Sequence, residues 1–341
     1  MTKKALAGSV GISPLTLTRI ENGETKDPEH ATVCSLAASL RYPVSFFYGD
    51  DIEELSTEAV SFRSLSSMSA KERDAALAAG ALACYFDDWI SQRFNLPEPM
   101  LPDLRHENPI SAASRLRSTW QLGSRPIPNL LKLLEAKGVR VFTLAEHNKN
   151  VDAFSCWRGQ TPLVFLNTYK SPERSRFDTA HELGHLVMHM HGGGKGRDRE
   201  READQFASAF LIPRDDLLAN IPRTPTVNQL IKAKARWGVS VAALARSIYD
   251  AGAISEWHYR GLCKKISKYG YRVNEPESRS RERSVVWGKV MRQLWKEKIT
   301  TEKISHELGV PVDEIDSMLG QLATPQGPFS YTDQEARVFE V

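Results

Sequence analysis

The chain has 341 residues, 41% hydrophobic and 26% charged, with a formal net charge of +3. These values are ordinary for a soluble globular protein, and the length allows two or three domains. The longest apolar stretch, residues 75–86, is too short to cross a bilayer, so we expect no membrane partner. The four cysteines form no C-x-x-C pair, which favours free thiols and a cytoplasmic location.

The first 55 residues carry a helix–turn–helix pattern. Gly11 predicts a turn, Ser13 is a candidate N-cap, and Pro14 suits the first position of the second helix. Residues 5–23 are similar to the core of Cro/repressor-type (XRE) helix-turn-helix domains. The resemblance implies that the side chains best placed to reach DNA bases or phosphates are Thr16, Thr18 and Arg19.

This N-terminal segment departs from the XRE pattern in two ways. Such domains usually carry one more helix before the position at which this chain begins, so the first helix is expected to be missing. Pro14 and Leu15 also stand where polar base-reading residues are common. Two roles therefore stay open for residues 1–55: DNA binding, or a remnant that serves dimerisation into a homodimer or binding of a partner.

A helical connector is predicted over residues 56–100. Ser69 and Glu72 fit a capping box, and the following helix is expected to end before Pro97. Further helices are predicted over residues 110–120 and from Ser124 to residue 138.

Three short segments then predict the strands of a small sheet. Residues 139–144 and 163–167 are apolar runs typical of buried strands, whereas residues 152–157 alternate as a half-buried or edge strand would. Ser171 followed by Pro172 predicts the start of a helix whose apolar side packs on this sheet.

The most informative pattern, H-E-x-x-H, occupies residues 181–185 of that helix. His181 and His185 lie one turn apart on one face, so both imidazoles can reach a single zinc ion. Glu182 then projects beside the open position of the metal, where it can take a proton from a zinc-acidified water. The alternative is a helix with two surface histidines and a solvated acid.

A further helix over residues 199–211 offers the third ligand. Glu200 and Asp204 share one stripe of this helix, and we assign Glu200 to the metal and Asp204 to orienting a ligand imidazole. Glu202 points about 200° away from Glu200, so both can hardly serve one metal. His189 lies too far along its helix to be a ligand and is expected to pack or hydrogen-bond. The alternative is that the acids are surface residues paired with neighbouring arginines.

In these residues the chain resembles the ImmA/IrrE family of metallo-endopeptidases. The resemblance rests on the H-E-x-x-H motif and on Glu200-x-x-Ala203-Asp204-x-Phe206-Ala207 followed by Leu211-Ile212-Pro213. Further similar segments are residues 152–155, 176–177, 234–240 and 275–276. The family implies a zinc-dependent, thermolysin-like site with a glutamate as third ligand, and a role in cleaving a transcriptional repressor. Its members commonly carry a helix-turn-helix domain.

A helical C-terminal domain is predicted over residues 223–341. Residues 260–298 hold twelve lysines and arginines against four acidic residues, a net charge of +8. With interleaved aromatic residues, this stretch could contact nucleic acid or an acidic partner, or it could be a solvated helical surface. Helix–Gly–turn–helix patterns recur at residues 235–248 and 305–319, and tight helical hairpins in general use glycine in this way.

The sequence thus predicts an α+β, mostly helical protein with a zincin-like peptidase domain at residues 101–222, flanked by helical, helix-turn-helix-like segments. We expect Zn²⁺ as cofactor, held by His181, His185 and Glu200, with Glu182 as general base and then general acid. Candidates for stabilising the oxyanion are Tyr169, Arg176 and His189.

The expected substrate is one regulatory protein, such as a repressor, bound as an extended segment along the strand at residues 152–157. The alternative function is a transcriptional regulator or antitoxin-type protein, whose peptidase fold senses or sequesters a partner such as a cognate toxin.

Overall fold

The structure is a computed structural model that describes residues 1–55, 60–62, 69–144, 153–189 and 196–323, with the backbone alone at 61 and 62. Position 152 of the predicted strand, the glycine-rich connector at 190–195 and residues 324–341 lie outside the described residues. The α-helices are α1 (Lys3–Val10), α2 (Pro14–Glu21), α3 (His30–Leu40), α4 (Ala70–Ser91), α5 (Pro109–Thr119), α6 (Leu130–Ala136), α7 (Pro172–Met188), α8 (Arg197–Leu211), α9 (Arg214–Asn220), α10 (Val227–Lys234), α11 (Val241–Asp250), α12 (Glu256–Lys268), α13 (Val285–Lys296), α14 (Thr301–Leu308) and α15 (Val312–Leu319). The strands are β1 (Val60–Phe62), β2 (Arg140–Thr143), β3 (Phe154–Arg158) and β4 (Thr161–Leu166).

Local signals place most helix ends where the sequence predicts them. The Ser13 side chain accepts a hydrogen bond from the backbone N–H of Thr16, and Gly11 ends α1 with a φ of 78°. The capping box of Ser69 and Glu72 is complete at the start of α4. Ser171 caps α7 and is followed by Pro172 at the first helical position. These ends are set by contacts within three or four residues, which a sequence displays directly.

The start of α6 differs from the prediction. The helix begins at Leu130, not near Ser124, because the side chain of Asn129 accepts a hydrogen bond from the N–H of Lys132 and acts as the N-cap. The predicted end is confirmed, since Gly138 follows the helix with a φ of 80°.

The four strands form one sheet in the order β1-β3-β4-β2. β4 pairs parallel with β2 and antiparallel with β3, and β3 also pairs antiparallel with β1. The prediction of an edge strand at residues 152–157 is therefore wrong for residues 154–156, since β1 covers that side of β3. This side is covered because β1, a three-residue strand from the connector about ninety positions earlier in the chain, pairs with β3.

The sheet is a middle layer between helices. Val164 on β4 points into a core shared with α5–α12, and its neighbour Phe165 points to the opposite face, as strand alternation requires. That second core holds α4 and α13–α15, with Trp287 in contact with Phe142. The fold is therefore a mostly helical α+β protein with a small sheet. The cores do not stop at residue 222, where the sequence placed a domain boundary, and the proposed division stays a prediction.

Long-range capping ties the C-terminal helices to the rest. The carboxylate of Glu135, at the end of α6, accepts hydrogen bonds from the backbone N–H groups of Val285 and Val286 at the start of α13. Glu282 does the same for Leu130 and Leu131 at the start of α6. Two acids thus satisfy helix N-termini that lie about 150 positions away.

No described helix combines the length and apolarity that crossing a membrane requires. The four cysteines are free, with Cys84 and Cys156 buried and Cys34 and Cys263 partly buried.

Candidate metal centre

The helix α7 carries the H-E-x-x-H motif between β3 and α8. Almost all of α7 from Arg176 onward is buried, and both His181 and Glu182 are 0% exposed. α8 packs closely against it because Gly184 has no side chain, and a Cβ at this position would lie 2.9 Å from Cδ1 of Phe206. The predicted role of Gly184, to let another element approach beside the motif, is confirmed by this contact.

Gly184→Ala is expected to lower the free energy of unfolding by about 1–3 kcal/mol, since the added methyl overpacks the contact with Phe206. Denaturant unfolding of the metal-free protein would measure the change. The matched control is Gly261→Ala in α12, where a Cβ meets nothing within 4 Å. This control should gain about 0.5–1 kcal/mol, because alanine favours the helix. Equal stabilities for the two variants would contradict close packing at Gly184.

Three side chains bring possible ligand atoms to one point. Nε2 of His181 and Nε2 of His185 lie 3.1 Å apart. The two carboxylate oxygens of Glu200, on α8, lie 3.3 Å from His181 Nε2 and 3.4 Å from His185 Nε2. The structure thus brings together the three residues that the sequence assigned to the metal.

These spacings fit a zinc ion. Ligand bonds of about 2.0–2.1 Å in a tetrahedron place neighbouring ligand atoms about 3.4 Å apart, close to the three distances here. Oε2 of Glu200 is buried and has no hydrogen-bond partner in the described part of the chain, and the same holds for Oε1 of Glu182. Buried oxygens without a donor are costly, and a cation beside Glu200 would remove that cost.

Burial and neighbouring charges shift the pKa values at this centre. Burial lowers the pKa of His185 to about 4, which favours the neutral imidazole that metals bind. Burial alone would raise the pKa of Glu200, but contact with His181 and His185 outweighs it and lowers the pKa to about 2. Burial raises the pKa of Glu182 to about 7. Two neutral histidines and one carboxylate are the donor set of H-E-x-x-H zinc sites.

Both histidines of this group have a partner on the ring nitrogen that points away from the centre. Oδ1 of Asp204 lies 3.0 Å from Nδ1 of His181, the contact proposed for Asp204 from the sequence. Nδ1 of His189 lies 2.9 Å from Nδ1 of His185, and its Nε2 lies 3.0 Å from Oε2 of Glu202. Glu202 therefore contacts His189 and is not one of the three grouped residues, although both it and Glu200 reach histidines in or directly after α7.

The sequence did not predict a role for Ser155 at the site. Its hydroxyl, on β3, donates a 2.7 Å hydrogen bond to Oε2 of Glu182. Ser155 is 2% exposed and stands between Phe154 and Cys156 in a strand that is otherwise apolar at its start. A polar residue in such a strand was the available signal.

Two of the oxyanion candidates already have other partners. The guanidinium of Arg176 is buried and donates hydrogen bonds to the carbonyls of Ile127 and Trp237 and to Glu282, so it is not available to the metal centre. His189 contacts His185 and Glu202. Tyr169 is 41% exposed and stays a prediction.

The predicted DNA-contacting residues lie on α2, whose small core is separate from that of the metal centre. Thr16 and Arg19 are exposed, and Thr18 is partly buried. The hydroxyls of Thr16 and Thr18 bond to Ser13 and to the carbonyl of Pro14 within the same helix turn. DNA contact by these three residues stays a prediction.

One family model matches the part of the chain that holds this centre. The model described as IrrE N-terminal-like domain, Peptidase M78, matches residues 134–249, a span that includes His181, Glu182, His185 and Glu200. This part of the chain is therefore similar to an IrrE N-terminal-like peptidase domain. No curated protein matches the chain.

Proposed function

We propose that this protein is a zinc-dependent metallo-endopeptidase that cleaves a specific regulatory protein, such as a transcriptional repressor. The observation that carries the proposal is the group of His181, His185 and Glu200, spaced for one zinc ion, with Glu182 beside it on α7. The family match at residues 134–249 supports a metallopeptidase.

In this proposal, His181, His185 and Glu200 hold the metal. Bound zinc supplies Lewis acidity, which lowers the pKa of a water and polarises a peptide carbonyl. Glu182 accepts the proton of the attacking water on its free oxygen, Oε1, and passes it to the nitrogen of the leaving amine. Ser155 fixes the other oxygen of Glu182 through its hydrogen bond, which keeps Oε1 available for the proton.

Access to the centre is restricted in this structure. His181 and Glu182 are completely buried, and β1 pairs with residues 154–156 of β3. An extended substrate cannot pair with these three residues while β1 is in place. We infer that cleavage requires local rearrangement, which fits an enzyme that acts on few targets.

Trapping of a substrate by Glu182→Gln tests the proposed function. Because the variant keeps the zinc ligands but lacks the base, we expect it to retain a protein that the wild type cuts and releases. The captured protein is identified by mass spectrometry after pull-down from the source cells, and then incubated with purified, zinc-loaded wild type. Wild-type protein without zinc, or a trapped protein that wild type leaves intact, would contradict the proposal.

A second candidate function is binding without cleavage, as a transcriptional regulator or a protein that sequesters a toxin. Its support is the short α1–turn–α2 unit at the N-terminus, with Gly11 at the turn. Residues 1–55 hold five basic and eight acidic residues, a net charge of −3, which favours a protein partner over DNA. A Glu182→Gln protein that still represses its promoter or neutralises its partner would favour this function.

A further inference from the structure

The two ligand histidines of the candidate metal centre contact different kinds of side chain through their far ring nitrogens. His181 contacts a carboxylate directly, since Oδ1 of Asp204 lies 3.0 Å from its Nδ1. His185 contacts a second imidazole, that of His189, which in turn contacts the carboxylate of Glu202. The side chain of His189 is 8% exposed, whereas that of Glu202 is 43% exposed.

The contacts between these ring nitrogens determine which nitrogen of each histidine carries a proton. Nε2 of His185 faces His181 and Glu200 and must be unprotonated to act as a ligand, so a neutral His185 carries its proton on Nδ1. The 2.9 Å contact then makes Nδ1 of His189 the acceptor. A neutral His189 carries its own proton on Nε2, which donates to Oε2 of Glu202 at 3.0 Å. Each contact thus has one donor and one acceptor.

We propose that His189 and Glu202 are positioning residues that hold His185 in the metal-binding tautomer and ring orientation, an indirect counterpart of the Asp204 contact to His181. The inference rests on the proposed zinc function. It assigns a role to Glu202, which the helical spacing excludes as a ligand, and to His189, which lies one turn beyond the motif.

The charge distribution supports this assignment. His189 connects the buried His185 to a carboxylate on the more exposed face of α8, so the charge of Glu202 need not be buried. Hydrogen bonds from a ligand imidazole to a carboxylate fix its tautomer and raise its basicity, and their loss typically lowers metal affinity about 10- to 100-fold.

Zinc affinity of the full-length protein, measured by competition with a chromogenic chelator, tests the proposal. We expect His189→Leu to weaken zinc binding about 10- to 100-fold. His189→Gln, which keeps an acceptor for His185, should restore part of the loss. Glu202→Ala is expected to weaken binding by a smaller factor, because water can reach this exposed position. The control is Asp198→Asn, an exposed carboxylate on the same helix, which should leave the affinity unchanged.

Double variants show whether His189 and Glu202 act together on His185 or whether each substitution weakens zinc binding by itself. His189→Leu with Glu202→Ala should bind zinc as His189→Leu alone does, whereas the losses from Glu202→Ala and Asp204→Asn should multiply. Visible absorption of the Co²⁺-substituted proteins should change for His189→Leu and not for Asp198→Asn. Thermal unfolding of the metal-free proteins shows whether each variant keeps its fold.

Three results separate the possible failures. Wild type that binds no zinc would overturn the proposed function itself. Wild type that binds zinc, with His189→Leu equally tight, would overturn this inference alone. Multiplying losses for His189→Leu and Glu202→Ala would also overturn it, because the two residues would then act separately.

Discussion

Replacing Glu182 with glutamine is expected to lower the rate of peptide cleavage by about two to four orders of magnitude while zinc stays bound. Glutamine has nearly the shape of glutamate, and its carbonyl oxygen can still accept the hydrogen bond from Ser155. It cannot accept a proton from water or return one to the leaving amine. The proposed zinc ligands His181, His185 and Glu200 are unchanged in this variant.

Cleavage of the trapped partner, followed by gel or mass spectrometry, gives the rate, and elemental analysis gives the zinc content. Glu200→Ala serves as the contrasting variant, because it removes a proposed ligand and should lose both zinc and activity. Glu256→Gln, an exposed residue on α12, makes the same chemical change on the surface and should alter neither. Cleavage by Glu182→Gln at the wild-type rate would refute the assigned role of this residue.

Lys234→Met is expected to lower the free energy of unfolding by about 3–5 kcal/mol at neutral pH. The ammonium group of Lys234 is buried at the end of α10, 3.1 Å from a carboxylate oxygen of Glu173 and 3.3 Å from one of Glu275. All three side chains are less than 10% exposed. Methionine fills a similar volume but leaves two buried carboxylates facing one another without their cation.

Urea unfolding at pH 7 and pH 5 would measure this loss. Burial already raises the pKa of Glu275 in the folded protein, and loss of the lysine should raise it further, so the folded variant binds extra protons as the pH falls. The loss should therefore be smaller at pH 5 than at pH 7. Lys3→Met is the matched control, because the ion pair of Lys3 with Glu21 is exposed and should contribute at most about 1 kcal/mol. Equal losses for the two variants would contradict a buried ion pair at Lys234.

The sequence was most informative where the relevant contacts are local. The N-caps Ser13, Ser69 and Ser171 begin helices at the predicted positions, since a cap depends on residues three positions away. The start of α6 was missed for a related reason. Asn129 was available as a cap, but Ser124 and Pro126 formed an equally good local pattern earlier in the chain.

The sequence was less informative about the environment of the candidate site. The hydrogen bond of Ser155 to Glu182 and the pairing of β1 with β3 both join distant segments. The basic stretch shows the same limit. Arg279 and Arg281 bond to Pro128, Ser175 and Lys170, and so belong to internal contacts, whereas Lys264, Lys265 and Lys268 are exposed on α12. Charge counted along a chain does not show which side chains are used inside the fold.

What the sequence alone determined about the candidate site is which residues share one face of α7. The 3.6-residue period places His181 and His185 together on one face of α7 whatever surrounds them. Only the tertiary structure decided that α8 meets α7 at Gly184, that β1 covers β3, and that His189 connects His185 to Glu202. Such contacts depend on how separate segments pack across the fold, which helical periodicity does not specify.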